Sequence, residues 1–226
     1  MIYILKAEEI RSRMDNFTPH TRSEKVITSN QVERSRIGDI TAIVLAGGKS
    51  KRMGGPDKSM LPVNGVPMIQ HIVSQLEKHF REIIIGGDEK KYSFLGHKVV
   101  PDETEGSGPL MGVYSCLSRS DTELNFITAC DIPEISLELI EKMIEISEGA
   151  DIVMPVNESG KYEPLHAIYR RTVLPAARKQ LGEGRLRLTD LAGNVKTRYI
   201  SFDGSGWYHN INYKEDYERY KGPASG

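Results

Sequence analysis

The chain has 226 residues, 38% of them hydrophobic and 27% charged, enough for one sizeable α/β core or a core with a small appendage. A net charge of −1 excludes nucleic-acid binding by bulk electrostatics, so any positive field must be local. No apolar run approaches the roughly 18–20 residues of a membrane span. Met1 to Lys6 lacks the longer apolar core of a secretory signal, and Cys116 and Cys130 are too few for a disulfide scaffold and match no zinc spacing. The cytoplasm is the expected location.

Residues 1–38 carry scattered charge and few large apolar side chains, and are expected to form a poorly packed arm rather than an independent domain; docking of the arm on a partner or on its own domain is left open by the sequence. From Ile40 the pattern changes to strands alternating with helices. Ile40 to Ala46 reads as a buried strand. Pro67 suits a first helical position, with Met68, Ile69, Ile72, Val73 and Leu76 at helical spacing through His79. Arg81 to Gly87 is a strand whose β-branched run argues for burial, and Lys98 to Val100 is a short strand. A helix is expected from about Leu110 to Leu117 and a buried strand from Leu124 to Ala129. Ser136 caps a helix running through Ile146, with Glu138 in its first turn. Strands at Ala150 to Pro155, Leu165 to Tyr169 and Lys196 to Ile200 alternate with helices at Thr172 to Leu181 and Arg185 to Ala192. Tyr213 to Tyr220 is a terminal helix, and 222–226 are expected to be a disordered tail. The domain proper is thus 39–221. Strands separated by helices predict a single Rossmann-like α/β fold, a mostly parallel sheet with helices on both faces. In such sheets ligands bind at the carboxyl ends of the strands, and Gly47-Gly48, Gly86-Gly87, Asp102 and Asp131 all follow such an end.

The first strand ends in Gly47-Gly48, followed by Lys49, Lys51, Arg52, Gly54, Gly55 and Lys58. Glycines let backbone N–H groups approach an anion, and the basic residues add charge, so this loop suits a polyphosphate. It is neither of two familiar phosphate loops: a P-loop would need glycine where Ile43 stands, and the dinucleotide fingerprint would need glycine at Lys49. A tight β–α turn with a solvated basic edge remains the plain alternative. Asp131 suits a Mg²⁺ ligand, a hard cation that prefers oxygen, or else a turn or N-cap aspartate before Pro133. Asp102 is an acceptor for a base N–H or a ribose hydroxyl, or a turn residue. Gly108 and Pro109 open a helix whose N-terminus favours negative charge, or serve only ordinary helix initiation. Asn210 and Asn212 serve phosphate or metal, or cap the last helix. Cys130 is taken as a small packed residue rather than a nucleophile, having no evident basic or histidine neighbour.

Taken together, Leu45-Ala46-Gly47-Gly48-x-Ser50-x-Arg52-Met53-Gly54 and Asp57-Lys58-x-x-Leu61 resemble the signature of the molybdenum cofactor guanylyltransferases. Gly108-Pro109-Leu110-x-Gly112, Cys130-Asp131-x-Pro133, Glu163-Pro164-Leu165-x-Ala167-x-Tyr169 and Asn210-Ile211-Asn212 follow in the family's order, covering about residues 40–220. The resemblance implies a nucleotide-diphospho-sugar transferase-like fold and transfer of GMP from GTP to molybdenum-molybdopterin, with pyrophosphate released. It implies that Leu45, Ala46, Gly47, Gly48, Lys58, Asp102 and Asp131 bind GTP, that Arg52, Lys58 and Asp131 are catalytic, and that Asp131 holds Mg²⁺. Gly108, Pro109, Asn210 and Asn212 then support phosphate or the acceptor. Cofactor chaperones or recipient apo-molybdoenzymes are partners compatible with it. Two positions depart from the pattern: Gly86 stands where relatives often place an asparagine near the ribose, and Tyr213-Lys214 replace Thr-Pro. A related nucleotidyltransferase using CTP, or a sugar phosphate or phospholactate acceptor, is the alternative; a non-enzymatic nucleotide-binding or assembly protein is a third.

Overall fold

The computed structural model describes residues 37–47, 57–204 and 208–221. The arm up to residue 36, most of the phosphate loop (Gly48, Lys49, Lys51 and Arg52 among it) and the 222–226 tail lie outside the described residues. Packing begins by Ile37, which is buried in the core together with Ile40.

Seven strands form one sheet: β1 (Thr41–Leu45), β4 (Glu82–Gly86), β5 (Lys98–Val100), β6 (Leu124–Ala129), β7 (Ile152–Val156), β8 (His166–Arg170) and β9 (Thr197–Ser201), in the order β5-β4-β1-β6-β8-β7-β9. β5, β4, β1 and β6 run parallel. β8 is antiparallel to both of its neighbours, while β7 and β9 are parallel to each other. The sheet is therefore mostly parallel, as the alternation of elements predicts.

Why the strand sequences are continuous apolar runs follows from the two faces. Ala42 and Val44 of β1, Ile83 and Ile85 of β4 and Phe126 of β6 point into one core layer; Ile43, Leu45, Ile84 and Ile127 point into the other. The first layer is closed by α1 (Met68–Leu76), α4 (Leu137–Glu145) and α7 (Lys214–Lys221), the second by α3 (Gly108–Arg119), α5 (Leu174–Gly182) and α6 (Leu188–Asn194). Both faces of a strand need apolar side chains when helices cover both.

Most element boundaries fall within two or three residues of the sequence expectation. α4 is capped as expected, its first-turn Leu139 N–H donating to Ser136 Oγ at 3.2 Å. Three features differ. Pro67 is not inside the helix but precedes it, closing a two-strand hairpin of β2 (Pro62–Val63) and β3 (Val66–Pro67). Its turn, Asn64-Gly65, has φ of 50° and 84°, the left-handed pair that a tight hairpin demands and that Asn-Gly supplies with least strain. A short helix, α2 (Glu89–Tyr92), follows β4, with Asp88 Oδ1 accepting from the Lys90 N–H at 2.9 Å. The helix expected from Arg185 begins only at Leu188. Gly184 has φ of 70°, which ends α5 and turns the chain before α6 begins. Among the described residues no helix is long and apolar enough to cross a membrane.

Candidate active site

The site is built by register. Leu45 of β1 pairs with Gly86 of β4 on one side and Ala129 of β6 on the other, and Gly86 pairs in turn with Val100 of β5. Four parallel strands thus end level. The chain leaves β1 for β4 and β5 on one side and returns to β6 on the other, so the strand order reverses at β1, where a crevice opens in folds of this kind. The ladder continues one residue past the strands: the N–H of Ala46 donates to Gly86 O at 2.8 Å, that of Gly87 to Val100 O at 2.9 Å and that of Cys130 to Leu45 O at 3.0 Å. Ala46, Gly47, Asp102 and Asp131 therefore share one sheet edge. Strands lie about 4.8 Å apart, so β5 and β6 are separated by roughly 14 Å, and Asp102 and Asp131 cannot grip the same cation. They stand at opposite ends of the edge, with the Gly47 loop between them.

At the β6 end, Asp131 is half-buried. Burial raises its carboxyl pKa, opposed chiefly by the positive charge of Lys58. The Asp131 backbone carbonyl accepts the Ile211 N–H at 2.8 Å, and Lys58 Nζ donates to Ile211 O at 2.9 Å. One buried isoleucine thus ties the segment Asn210-Ile211-Asn212 to both charged residues. The two asparagines do not cap α7. The N–H groups of Asn212 and Tyr213 instead donate to Asp216 Oδ2, at 3.0 and 2.9 Å, while Asn212 Nδ2 donates to Asn210 Oδ1 at 2.6 Å. Asp131 is not a helix cap either, since Ser136 fills that place. Glu163, buried beside this cluster, accepts from Lys161 Nζ at 3.0 Å and Asn157 Nδ2 at 3.3 Å. Burial, with the Glu163 charge nearby, raises the pKa of the Tyr208 hydroxyl.

At the β5 end, Asp102 is half-buried, and burial with the nearby Glu105 charge raises its pKa. Gly112 on α3 leaves it room: a Cβ there would lie 3.4 Å from Asp102 Oδ1. Gly86 has a packing reason. A Cβ at that position would sit 2.7 Å from Leu45 Cδ2 and 2.9 Å from Cys116 Sγ, so an asparagine there would have to displace both side chains. Gly108 and Pro109 are exposed at the start of α3, where Gly108 has φ of 71° and Ser107 makes no side-chain cap.

Against the Ala46 strand end lies a polar cluster that sequence reasoning did not find. The buried Tyr92 donates its hydroxyl proton to Ala46 O at 2.9 Å and meets Ser59 Oγ at 2.9 Å. Ser59 Oγ also reaches Asp57 Oδ1 at 2.8 Å, and Lys91 Nζ donates to the Tyr92 hydroxyl at 2.8 Å while pairing with the Asp57 carboxylate. The Tyr92 ring packs directly on Gly87, where a Cβ would come within 2.7 Å of it. Lys58 and Lys91 both act electrostatically on Cys130, so basic neighbours do exist in space. Burial nonetheless pushes the Cys130 thiol up to about 12, which leaves it protonated and inert near neutral pH.

Mg²⁺ takes one or two carboxylates along with waters and phosphate oxygens. The donors at the β6 end are of that kind: a partly buried carboxylate on Asp131 and amide oxygens on Asn210 and Asn212. Among the described residues no three His, Cys, Asp or Glu side chains converge as a preformed cage, and Mg²⁺ bound with a polyphosphate does not need one.

Comparison with known proteins places this geometry in a family. Residues 42–193 match the family model described as a MobA-like NTP transferase domain. A Flavobacterium johnsoniae protein named "Probable molybdenum cofactor guanylyltransferase" is 35% identical over 176 residues, 76% of this chain and 92% of that protein. A Serratia proteamaculans protein named molybdenum cofactor guanylyltransferase is 28% identical over 187 residues, 81% of this chain and 94% of its own length. Among solved structures, the molybdopterin-guanine dinucleotide biosynthesis protein A of Archaeoglobus fulgidus superposes with a TM-score of 0.69 at 20% identity, covering 80% of this chain and 97% of that one, a likeness of fold. The chain spans nearly the full length of these relatives, and it belongs to the MobA-like NTP transferase family.

Proposed function

We propose that the protein transfers GMP from GTP to molybdenum-molybdopterin, forming the guanine dinucleotide cofactor and pyrophosphate. What carries this reading is the alignment of Ala46–Gly47, Asp102, Lys58 and Asp131 along one sheet edge. It occurs in a chain that matches relatives named guanylyltransferases over more than nine-tenths of their length. In the reaction a phosphate oxygen of the pterin attacks the α-phosphorus of GTP, and the bond from that phosphorus to the bridging oxygen breaks as pyrophosphate leaves. Such a transfer asks little covalent chemistry of the protein; positioning and charge neutralisation suffice.

The nucleoside belongs at the β5 end, where Asp102 accepts from the base or ribose, and the triphosphate belongs across Ala46 and Gly47. Lys58 offsets charge building on the phosphate oxygens, and Arg52 is assigned the same task from its place in the motif. Asp131 with Asn210 and Asn212 would hold Mg²⁺, which when bound polarises phosphorus and neutralises the leaving pyrophosphate. Asn210 and Asn212, held through Ile211 against Asp131, support phosphate or the acceptor at the β6 end, and Gly108 and Pro109 support phosphate or the acceptor from the start of α3, the helix that packs against Asp102.

Calorimetric titration of the purified protein with GTP, CTP and ATP, each with and without Mg²⁺, tests the proposal. GTP is expected to bind tightest, and more tightly with Mg²⁺. Preference for CTP would keep the transfer chemistry and overturn the choice of base. Equal binding with and without Mg²⁺ would remove the metal assignment.

A further inference from the structure

Given the reading of Lys58 as a phosphate ligand, we propose that Tyr92 is a positioning residue that holds Lys58 in register with the Ala46–Gly47 strand end. Ala46 follows β1 and Asp57 caps the short 3-10 turn Lys58–Met60; ten residues of sequence lie between them. The Tyr92 hydroxyl meets both sides. Its single proton goes to Ala46 O at 2.9 Å, because a carbonyl can only accept. Its oxygen accepts from Lys91 Nζ at 2.8 Å and lies 2.9 Å from Ser59 Oγ, whose own proton goes to the Asp57 carboxylate. Ser59 and Lys91 are each joined to Asp57, the residue before Lys58, and Asp57 Oδ1 also accepts the Ser59 N–H at 3.0 Å, which shapes the turn carrying Lys58.

The chain of bonds therefore runs from the strand end, through one phenol, to the turn that aims Lys58. Lys58 itself reaches across to Ile211 O, so its ammonium has a defined place only if its backbone does. Burial keeps the phenol protonated, with its pKa raised to about 12, so it donates to Ala46 throughout the neutral range. Tyr92, Ala46 and Ser59 are buried, with the ring against Gly87, while Lys91 and Asp57 are half-buried at the rim. This placement makes Tyr92 a support for Lys58, not a ligand of substrate.

A buried tyrosine that merely fills the core would lower stability when altered without acting through Lys58, and a double-mutant cycle separates the two roles. GTP affinity in the presence of Mg²⁺ is measured calorimetrically on the full chain for the wild type, Tyr92→Phe, Lys58→Ala and the double variant. Tyr92→Phe keeps the ring on Gly87 and removes only the hydroxyl. It is expected to weaken GTP binding about tenfold, the scale of one lost hydrogen bond. Lys58→Ala should weaken it at least as much, and the double variant should lie within about twofold of Lys58→Ala. Losses that multiply, or a Tyr92→Phe affinity within about twofold of wild type, overturn the positioning role while leaving the nucleotide site in place. An unchanged affinity in Lys58→Ala removes the phosphate assignment itself, and this role with it. Lys91→Met removes the donor that joins the phenol to Asp57, cuts the same chain of bonds from the other side and is expected to behave like Tyr92→Phe; it decides the matter if the latter does not fold.

Discussion

Burial lowers the pKa of the His166 imidazole from 6.5 to about 3, so the ring is neutral in the fold. In the unfolded chain it gains a proton below about pH 6.5 while the folded ring does not. Its contribution to stability is therefore complete above pH 6.5 and is lost progressively as pH falls towards 3, by up to about 1.4 kcal/mol per pH unit. In His166→Gln this acid dependence should flatten, which urea unfolding at pH 4.5 and 7.5 would register; an unchanged dependence would assign it to other groups. Asp131 has the opposite sign. Its folded carboxyl pKa is raised, so between the unfolded and folded values the native state holds a proton that the unfolded chain has lost. Stability falls as pH rises through that window, and at neutral pH the ionised carboxylate weakens the ligand-free fold. Asp131→Asn keeps the shape and removes the charge. It is expected to match or exceed the wild-type Tm without ligands, while pyrophosphate release falls by about a hundredfold or more. A variant that unfolds instead would make Asp131 a structural residue.

Among the elements, β1 and β4 are held together at their ends by small residues. Gly86 and Gly112 both lie against the Leu45 side chain, and Leu45 is the last residue before the backbone assigned to the nucleotide. Gly86→Ala is expected to destabilise by about 1–3 kcal/mol, the range for overpacking a close-packed core, seen as a lower urea midpoint with the slope unchanged. A neutral result would mean that Leu45 moves aside freely. The same crowding accounts for the departure at Gly86 from the resemblance noted in the sequence. The hairpin β2–β3 had an unused local signal, since Asn64-Gly65 between valines is the dipeptide that a type I′ turn prefers. The helix α2 had a weaker one, in Asp88 before a charged turn. Neither stands out in a search for hydrophobic period, because the strands have two residues each and the helix four.

For the molecule as a whole, the boundary of the packed domain is open to a direct test. Ile37 and Ile40 are buried in the same layer as α1, whereas the family match begins at residue 42. Removing residues 1–36 is expected to leave GTP affinity within about twofold of wild type, measured by the same titration. Removal through Ile40 should lower the Tm as well, because two buried isoleucines go with it, each worth about 1.5–3 kcal/mol of burial. Loss of GTP binding in the shorter truncation would make the arm part of the site.

The sequence by itself determined the elements and their class. Runs such as Ile83-Ile84-Ile85 are apolar at every position because helices cover both sheet faces, and that demand is local enough to read. It also determined which residues stand at strand ends, because Gly47, Asp102 and Asp131 each directly follow or closely trail an apolar run. Only the tertiary structure decided what those residues do to one another. That β8 runs antiparallel and that Asp102 and Asp131 stand at opposite ends of the edge depend on strand order, which no local pattern encodes. Asp216, in the first turn of α7, rather than either asparagine, holds the chain entering that helix by accepting the N–H groups of Asn212 and Tyr213. The bonds that join Tyr92 to Ala46 and Ser59 span 46 and 33 residues. Each is a contact of short range in space and long range in sequence, made possible when the sheet brings two loops together and specified by no spacing along the chain.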